Sequence, residues 1–302
     1  MLFLANLIMR DPKWSLMMCA GLGVATLIFA PVGFLAGSAI ALVTLSAGLT
    51  YGIRALAVTA AAGLLISSVQ GSLTPLWIAL VEFWGAGFVL AVVLGRSGSL
   101  SKAISSAVLV IVGVMLVAHA VMLPSPELVW ASYIQQIASE LQATGTYLDP
   151  EAEVMLTEQL PAVLTMLMLM GLLVVWVGIV FLARWWQKNL YPQADGSSFG
   201  SEFRALKLPN AMALAFLVGV VALLFLPEQS MLSEVVAVLS VAFMLQGLAV
   251  VHHWVFVRNN GTWWLVLVYL MLAILPHFMM MVAVLGWMEN WLNWRSKMSV
   301  SG

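Results

Sequence analysis

Long apolar runs separated by short polar punctuation dominate the chain. A helix needs about 20 apolar residues to cross a bilayer core about 30 Å thick. Nine stretches meet that need: 14–31, 34–53, 55–71, 75–95, 103–123, 161–184, 209–227, 231–257 and 262–287. Pro31 with Gly33, the segment from Gly71 to Pro75, RSGSLSK at 96–102 and the turn Asn259, Asn260, Gly261 separate them. The pattern predicts an all-α, polytopic transmembrane helix bundle of about nine spans, with eight or ten as the neighbouring counts. Residues 262–294 are too long for one ordinary span, and Pro276 offers a place to break them.

One stretch departs from this pattern. Between 124 and 160 the apolar residues Leu128, Val129, Tyr133, Ile137 and Leu141 recur every three or four positions among polar ones. That spacing predicts an amphipathic helix lying over the membrane face, with a second short helix after Pro150. The helix stands as a lid over a cavity or as a solvated acidic loop. The chain then divides into a six-span bundle over 14–184 with its insert at 124–160, a loop at 185–208 and three C-terminal helices over 209–297.

Composition and charge add sidedness. Of the 302 residues, 63% are hydrophobic and 8% charged, against about 25% charged in soluble domains. The formal net charge of -1 gives no reason to expect a nucleic-acid partner. Lys and Arg near span ends favour the cytoplasmic side. With a retained, cytoplasmic N-terminus, Arg10, Lys13, Arg54, Arg96, Lys102, Arg184, Lys188, Arg204, Lys207 and Arg258 all fall there. Glu127, Glu140, Asp149, Glu151, Glu153 and Glu158 lie in the insert, which has no basic residue. Nine spans would leave Arg295 and Lys297 on the far side.

Enzyme signatures are missing. The chain has no H-E-x-x-H, no Walker A and no carboxylate pair at helical spacing within a span. Gly95, Arg96, Ser97 and Gly98 match the G-x-S-G of intramembrane serine proteases, but in a charged loop. The lone Cys19 has no intrachain partner, and adjacent His252 and His253 diverge by about 100° on a helix. The expectation is therefore no enzyme, no metal and no cofactor.

Polar residues at membrane depth are candidates of another kind, because an ionisable group there is costly unless paired, wet or protonated. Glu82 sits in IALVEFWGAG, flanked by Trp77 and Trp84 and followed by Gly85 and Gly87. An acid among aromatics suits a small organic solute or cation. It equally suits a carboxyl that ties helices together. His119, Gln246 and His277 complete the candidate ligand-binding set. Small residues at four-residue spacing (Gly21 and Ala25; Gly33, Gly37 and Ala41; Ala57 and Ala61, with Gly23 and Gly63 beside them) suit close helix packing or a face for a protein partner.

Three short stretches carry a resemblance: Phe203, Arg204, Leu208 and Pro209; Gln246 and Gly247; and Gly286, Glu289, Trp291 and Arg295. In that order they resemble the YybS-like family of bacterial membrane proteins of unknown function, with Glu289 standing where an aspartate is expected. The resemblance implies a bacterial inner (cytoplasmic) membrane location and a distant similarity to the S components of energy-coupling-factor transporters. Those bind a small molecule and dock on other transporter subunits. It also implies an alternative, an envelope scaffold that docks a membrane protein partner and moves no solute. Glu289 and Arg295 are a turn and a half apart, so no direct bridge is expected on an unbroken helix.

Overall fold

A computed structural model describes residues 2–121, 126–145, 149–192, 196–226 and 230–297, and every regular element among them is helical. The chain begins with α1 (Leu2–Ile8) and α2 (Pro12–Ile28), followed by α3 (Val32–Ala47) and α4 (Leu49–Gln70). The short α5 (Thr74–Ala79) passes through a π-helical turn at Leu80–Trp84 into α6 (Gly85–Ser97). Next come α7 (Leu100–Val121), α8 (Pro126–Ala143) and α9 (Pro150–Val154), the last running through a second π-helical turn, Met155–Gln159, into α10 (Leu160–Leu190). The C-terminal part holds α11 (Phe199–Arg204), α12 (Asn210–Phe225), α13 (Ser230–Val257), α14 (Trp263–Ile274), α15 (Pro276–Leu292) and α16 (Trp294–Lys297).

Among the described residues, five helical runs are long and apolar enough to cross a membrane: Leu49–Gln70, Thr74–Ser97, Leu100–Val121, Val163–Leu190 and Met231–Val257. Four shorter apolar helices, Pro12–Ile28, Val32–Ala47, Asn210–Phe225 and Trp263–Ile274, pack among them. The protein is a multi-pass, all-α membrane bundle, as the hydrophobic pattern predicts.

Boundaries differ from the pattern in three places. The break between the second and third spans falls at Gly48, at φ 88°, so Arg54 lies inside α4 with its guanidinium over the Tyr51 ring. Positive φ is a glycine conformation, and the chain turns at the glycine and not at the charge. The last stretch is two helices. Leu275 takes an extended conformation ahead of Pro276, as a residue before proline must, leaving α14 about 18 Å long. The insert's second helix does not stand apart but leads straight into α10. Residues 122–125 and 146–148, and the side chains of Glu127 and Glu158, lie outside the described residues.

The α14–α15 hairpin brings the tail to the end of the bundle that holds α11. Because α14 leaves the end of the bundle where α13 finishes and α15 returns to it, Arg295 donates to the Arg204 carbonyl oxygen at 2.6 Å and Lys207 bonds Asn293. Arg184, Lys188, Arg204, Lys207 and Arg295 are all joined at this one end, here called the basic end.

α3 is the most enclosed of the N-terminal helices, with Ala36, Ala39, Ile40, Ala41 and Leu42 fully buried. Small residues permit this. A Cβ on Gly37 would stand 2.6 Å from the Phe83 carbonyl oxygen, and one on Gly87 2.6 Å from that of Gly37. Gly37 is therefore an internal contact between α3 and the α5–α6 run, while Gly21, Ala57 and Ala61 face outward. One apolar cluster centres on α3 with α2, α5, α6 and α10. A second unites α7, α10, α12, α13 and α15, so α10 serves both.

The tightest contact joins α13 to α15. A Cβ on Gly247 would overlap the Val282 carbonyl oxygen, and one on Gly286 that of Phe243. Lipid gives helices no hydrophobic reason to associate, so backbone proximity of this kind supplies the packing. Replacing Gly286 with Leu is expected to abolish monodisperse, folded protein in detergent, since overpacking costs about 1–3 kcal/mol even where neighbours yield and a backbone oxygen yields little. Gly21→Leu, at a position with nothing within 4 Å of its Cβ, is expected to leave the melting temperature unchanged in the same size-exclusion and thermal-unfolding measurements.

Candidate functional site

Leu208 and Pro209 end the loop that enters α12. Proline removes one backbone donor and holds its predecessor extended, so no helix satisfies the buried Leu208 backbone. Two side-chain amides do so instead. Gln246 of α13, fully buried, accepts from Leu208 N–H at 2.5 Å and donates to the Gly286 carbonyl and to Asn290 Oδ1, each at 2.6 Å. Asn290 of α15 donates to the Leu208 carbonyl at 2.9 Å and to Asn210 Oδ1 at 3.0 Å. The indole N–H of Trp287 donates to the Ala213 carbonyl at 2.9 Å, fastening α15 to α12. Three segments distant in sequence are thus joined by complementary donors and acceptors.

Toward the surface the same three segments hold charge. α15 ends at Asn293, in the left-handed conformation at φ 46° and ψ 49°. This turn reverses the chain, so Arg295 Nε reaches Glu289 Oε1 at 3.0 Å while Trp294 N–H donates to Glu289 Oε2 at 2.8 Å. The bridge that an unbroken helix forbids forms because the helix breaks. Phe203 packs edge-on to His252 and Phe181, which sets α11 against α13 and α10.

Between α11, α13, α15 and α16 lies an open cleft of about 580 Å³. Arg204, Lys207, His253, Phe256, Glu289 and Arg295 are among its lining residues. Their charges differ in an important way. Glu289 neutralises Arg295. Arg204 lies 4.0 Å from the centre of the Phe256 ring, and Lys207 bonds only the neutral Asn293 side chain. Neither has a carboxylate partner among the described residues. Beside the cleft, Glu202 takes Arg184 in a two-pronged contact at 2.6 and 2.9 Å and Lys188 at 2.9 Å. Burial alone would raise the Glu202 pKa, but Arg184 and Lys188 hold it below the ordinary carboxylate value.

The ligand-binding set expected from the sequence is distributed over the molecule. Glu82 sits half-buried in the π-helical turn, with no hydrogen-bond or ion-pair partner among the described residues. Trp84 is fully buried against Gly23 and Gly63, whereas Trp77 points outward at 60% exposure. His277 is exposed at the start of α15, and Gln246 belongs to the amide network. His119 lies toward the end of α7 remote from the basic end, where its Nε2 stands 3.7 Å from Glu234 of α13. It lines a cavity of about 170 Å³ beneath α8, which the Trp130 indole pins to Thr165 at 3.0 Å. α8 docks through Trp130, Ile134 and Ala138, while Leu128, Tyr133 and Ile137 remain exposed.

By contrast, the positions carrying the family resemblance converge. Arg204, Leu208, Gln246, Gly286, Glu289 and Arg295 are joined by the hydrogen bonds above, and Phe203, Pro209 and Gly247 pack around them. Trp291 stays 48% exposed beside Trp287. Sequence reasoning missed Asn210, Glu202 and Glu234, and placed Asn290 only within the tail stretch that carries the resemblance, with no role of its own. The usable signals were an amide beside Glu289, an asparagine after Pro209, an acid close before Arg204 and the lone acid of the 231–257 span.

Asn290→Ala is expected to cost about 1–3 kcal/mol, because it strips the Leu208 carbonyl of its partner inside the bundle. Glu82→Gln, which breaks no contact, should cost far less when both are compared by thermal unfolding in detergent. For Glu202 the sign follows from its depressed pKa. Its contribution is complete above the unfolded carboxyl value near about 4.3 and disappears as pH falls through the lower folded value. Melting temperatures taken from pH 6 to pH 3 should fall more steeply for the wild type than for Glu202→Gln.

No curated protein and no solved structure matches the chain. The family described as "Predicted membrane protein (DUF2232)" matches residues 15–288. That range takes in the loop at 203–209, Gln246, Gly247 and Gly286, and stops one residue before Glu289. With nearly the whole chain matched, the protein belongs to this family of predicted membrane proteins.

Proposed function

We propose that the protein is a binding component of a bacterial inner-membrane assembly, that its basic end faces the cytoplasm, and that its recognition site is the cleft at that end, taking a ligand with negative charge. One observation carries the reading: Arg204 and Lys207 enter the cleft without an acidic partner among the described residues, although the neighbouring Arg184, Lys188 and Arg295 all have one. Its volume of about 580 Å³ lies within the 300–1,000 Å³ usual for small-molecule sites, whereas the 170 Å³ cavity beside His119 lies below it. Basic residues gathered at one end favour the cytoplasmic side.

This reading keeps the idea of an S-component-like binding unit and moves its site away from Glu82. The scaffold alternative is less well supported, since Gly37, its clearest small-residue contact, is used within the bundle. Transport in this scheme draws on partner subunits, because the sequence carries no ATP-binding motif.

Thermal unfolding of the purified protein with phosphate, glycerol phosphate, short-chain phosphatidylglycerol and a panel of neutral and cationic solutes tests the assignment. Anionic compounds should stabilise the wild type, by about 2.7 kcal/mol at 100 times their dissociation constant, and should fail to stabilise Arg204→Gln/Lys207→Gln. Stabilisation by a neutral or cationic solute that survives in this variant, but is lost in Glu82→Gln, would return the site to Glu82.

A further inference from the structure

The level of the cleft in the bundle says more about its ligand. Trp254 closes α13, Trp263 and Trp264 open α14, and Trp291 and Trp294 close α15 and open α16. Trp263 stacks on Trp264 at 4.2 Å, and Trp264 meets Trp254 edge-on at 5.6 Å. Indoles gather where hydrocarbon gives way to headgroups. The cleft is bounded by the ends of α13 and α15 and by α16, which carry Trp254, Trp291 and Trp294, so it lies at headgroup depth.

Its walls are amphiphilic. Arg204 and Lys207 supply cations, and Phe256, 62% exposed, turns an apolar ring toward the surroundings directly beneath the Arg204 guanidinium, while the Ser201 and Ser296 hydroxyls are engaged with the Ser198 and Asn293 carbonyls. A hydrophilic anion would use the cations and leave the exposed part of the Phe256 ring uncovered. A phosphate attached to a glycerol and acyl chains would use both.

We infer that the basic-end cleft holds the phosphate headgroup of an anionic phospholipid, with Arg204 and Lys207 as its ligands. The inference rests on the reading that the cleft binds an anion. The charge balance favours a net negative headgroup over a zwitterionic one. Arg295 is cancelled by Glu289, and Arg204 and Lys207 have no carboxylate against them among the described residues, whereas a choline headgroup brings its own positive charge. Basic pockets between membrane helices on the cytoplasmic side bind anionic headgroups by this chemistry.

The two side chains can be altered without dismantling the fold. Arg204 joins the network through its backbone carbonyl, which accepts from Arg295, and Lys207 holds only the exposed Asn293.

The test is native mass spectrometry of the full chain in detergent, titrated with phosphatidylglycerol or phosphatidylcholine of equal chain length, with inorganic phosphate and glycerol phosphate as soluble competitors. The wild type should retain phosphatidylglycerol in preference to phosphatidylcholine. Each of Arg204→Gln and Lys207→Gln should weaken retention about fivefold, as expected for the loss of one basic contact at a membrane surface. The exposed Arg96→Gln at the same end should change nothing. Unchanged melting temperatures without lipid would show that the variants are folded. Equal retention of the two lipids, with the soluble phosphates binding in an Arg204-dependent way, would overturn the lipid assignment and leave the anion site standing. If the double variant matches the wild type toward lipid and soluble phosphate alike, both inferences fall.

Discussion

A carboxamide buried in a helix bundle has two donors and two acceptor sites to satisfy, and it finds them only if its neighbours are held in one arrangement. Gln246 and Asn290 meet that demand with the Leu208 backbone, the Gly286 carbonyl and Asn210. The arrangement at the basic end follows from this. Leu208 cannot move without stranding its N–H, so the loop carrying Arg204 and Lys207 is anchored. α15 cannot slide along α13 without breaking Gln246 from both Gly286 and Asn290. The cleft thus inherits its shape from a network that contributes little surface of its own.

The glycine contacts make that network reachable. The Gln246 amide bonds the Gly286 carbonyl directly because Gly247 and Gly286 let the two backbones meet. Packing and hydrogen bonding are therefore one device here: without close approach the amide has no partner, and without the amide the approach has no fixed register. Asn293 completes it by ending α15 in a left-handed turn that sends Arg295 back to Glu289.

Periodicity alone made the helical architecture legible, since bilayer thickness imposes a length and an apolar content that few other structures share. Residues that terminate helices by their own backbone preference, such as Pro276 and the Asn259 to Gly261 turn, were also readable. Gly48 was not, because a glycine within an apolar run is equally at home as a packing residue. The cleft was illegible for a different reason. Its members come from four segments between Ser201 and Ser296, and nothing local in any of them states that Glu289 will face Arg295. Glu82 drew attention because a lone acid in an apolar run is conspicuous in one dimension. In three dimensions conspicuousness belongs to convergence, and the amides and charges of the C-terminal half converge where Glu82 does not.

The two ends of the bundle handle charge in opposite ways. At the end beneath α8, His119 and Glu234 face one another at 3.7 Å, nearly enclosed, beside a cavity too small for most organic ligands. Polar groups there are turned inward and serve to join α7 to α13. At the basic end the structural pairs are similarly closed: Glu202 with Arg184 and Lys188, and Glu289 with Arg295. Removing one partner of a buried pair is costly, which explains why these cations are matched. Arg204 and Lys207 escape that constraint because they reach an open cleft where water or a ligand solvates them. Cations that the fold does not need to neutralise are free to meet charge from outside, and on the proposed reading it is their convergence in one cleft that sets this helix end apart.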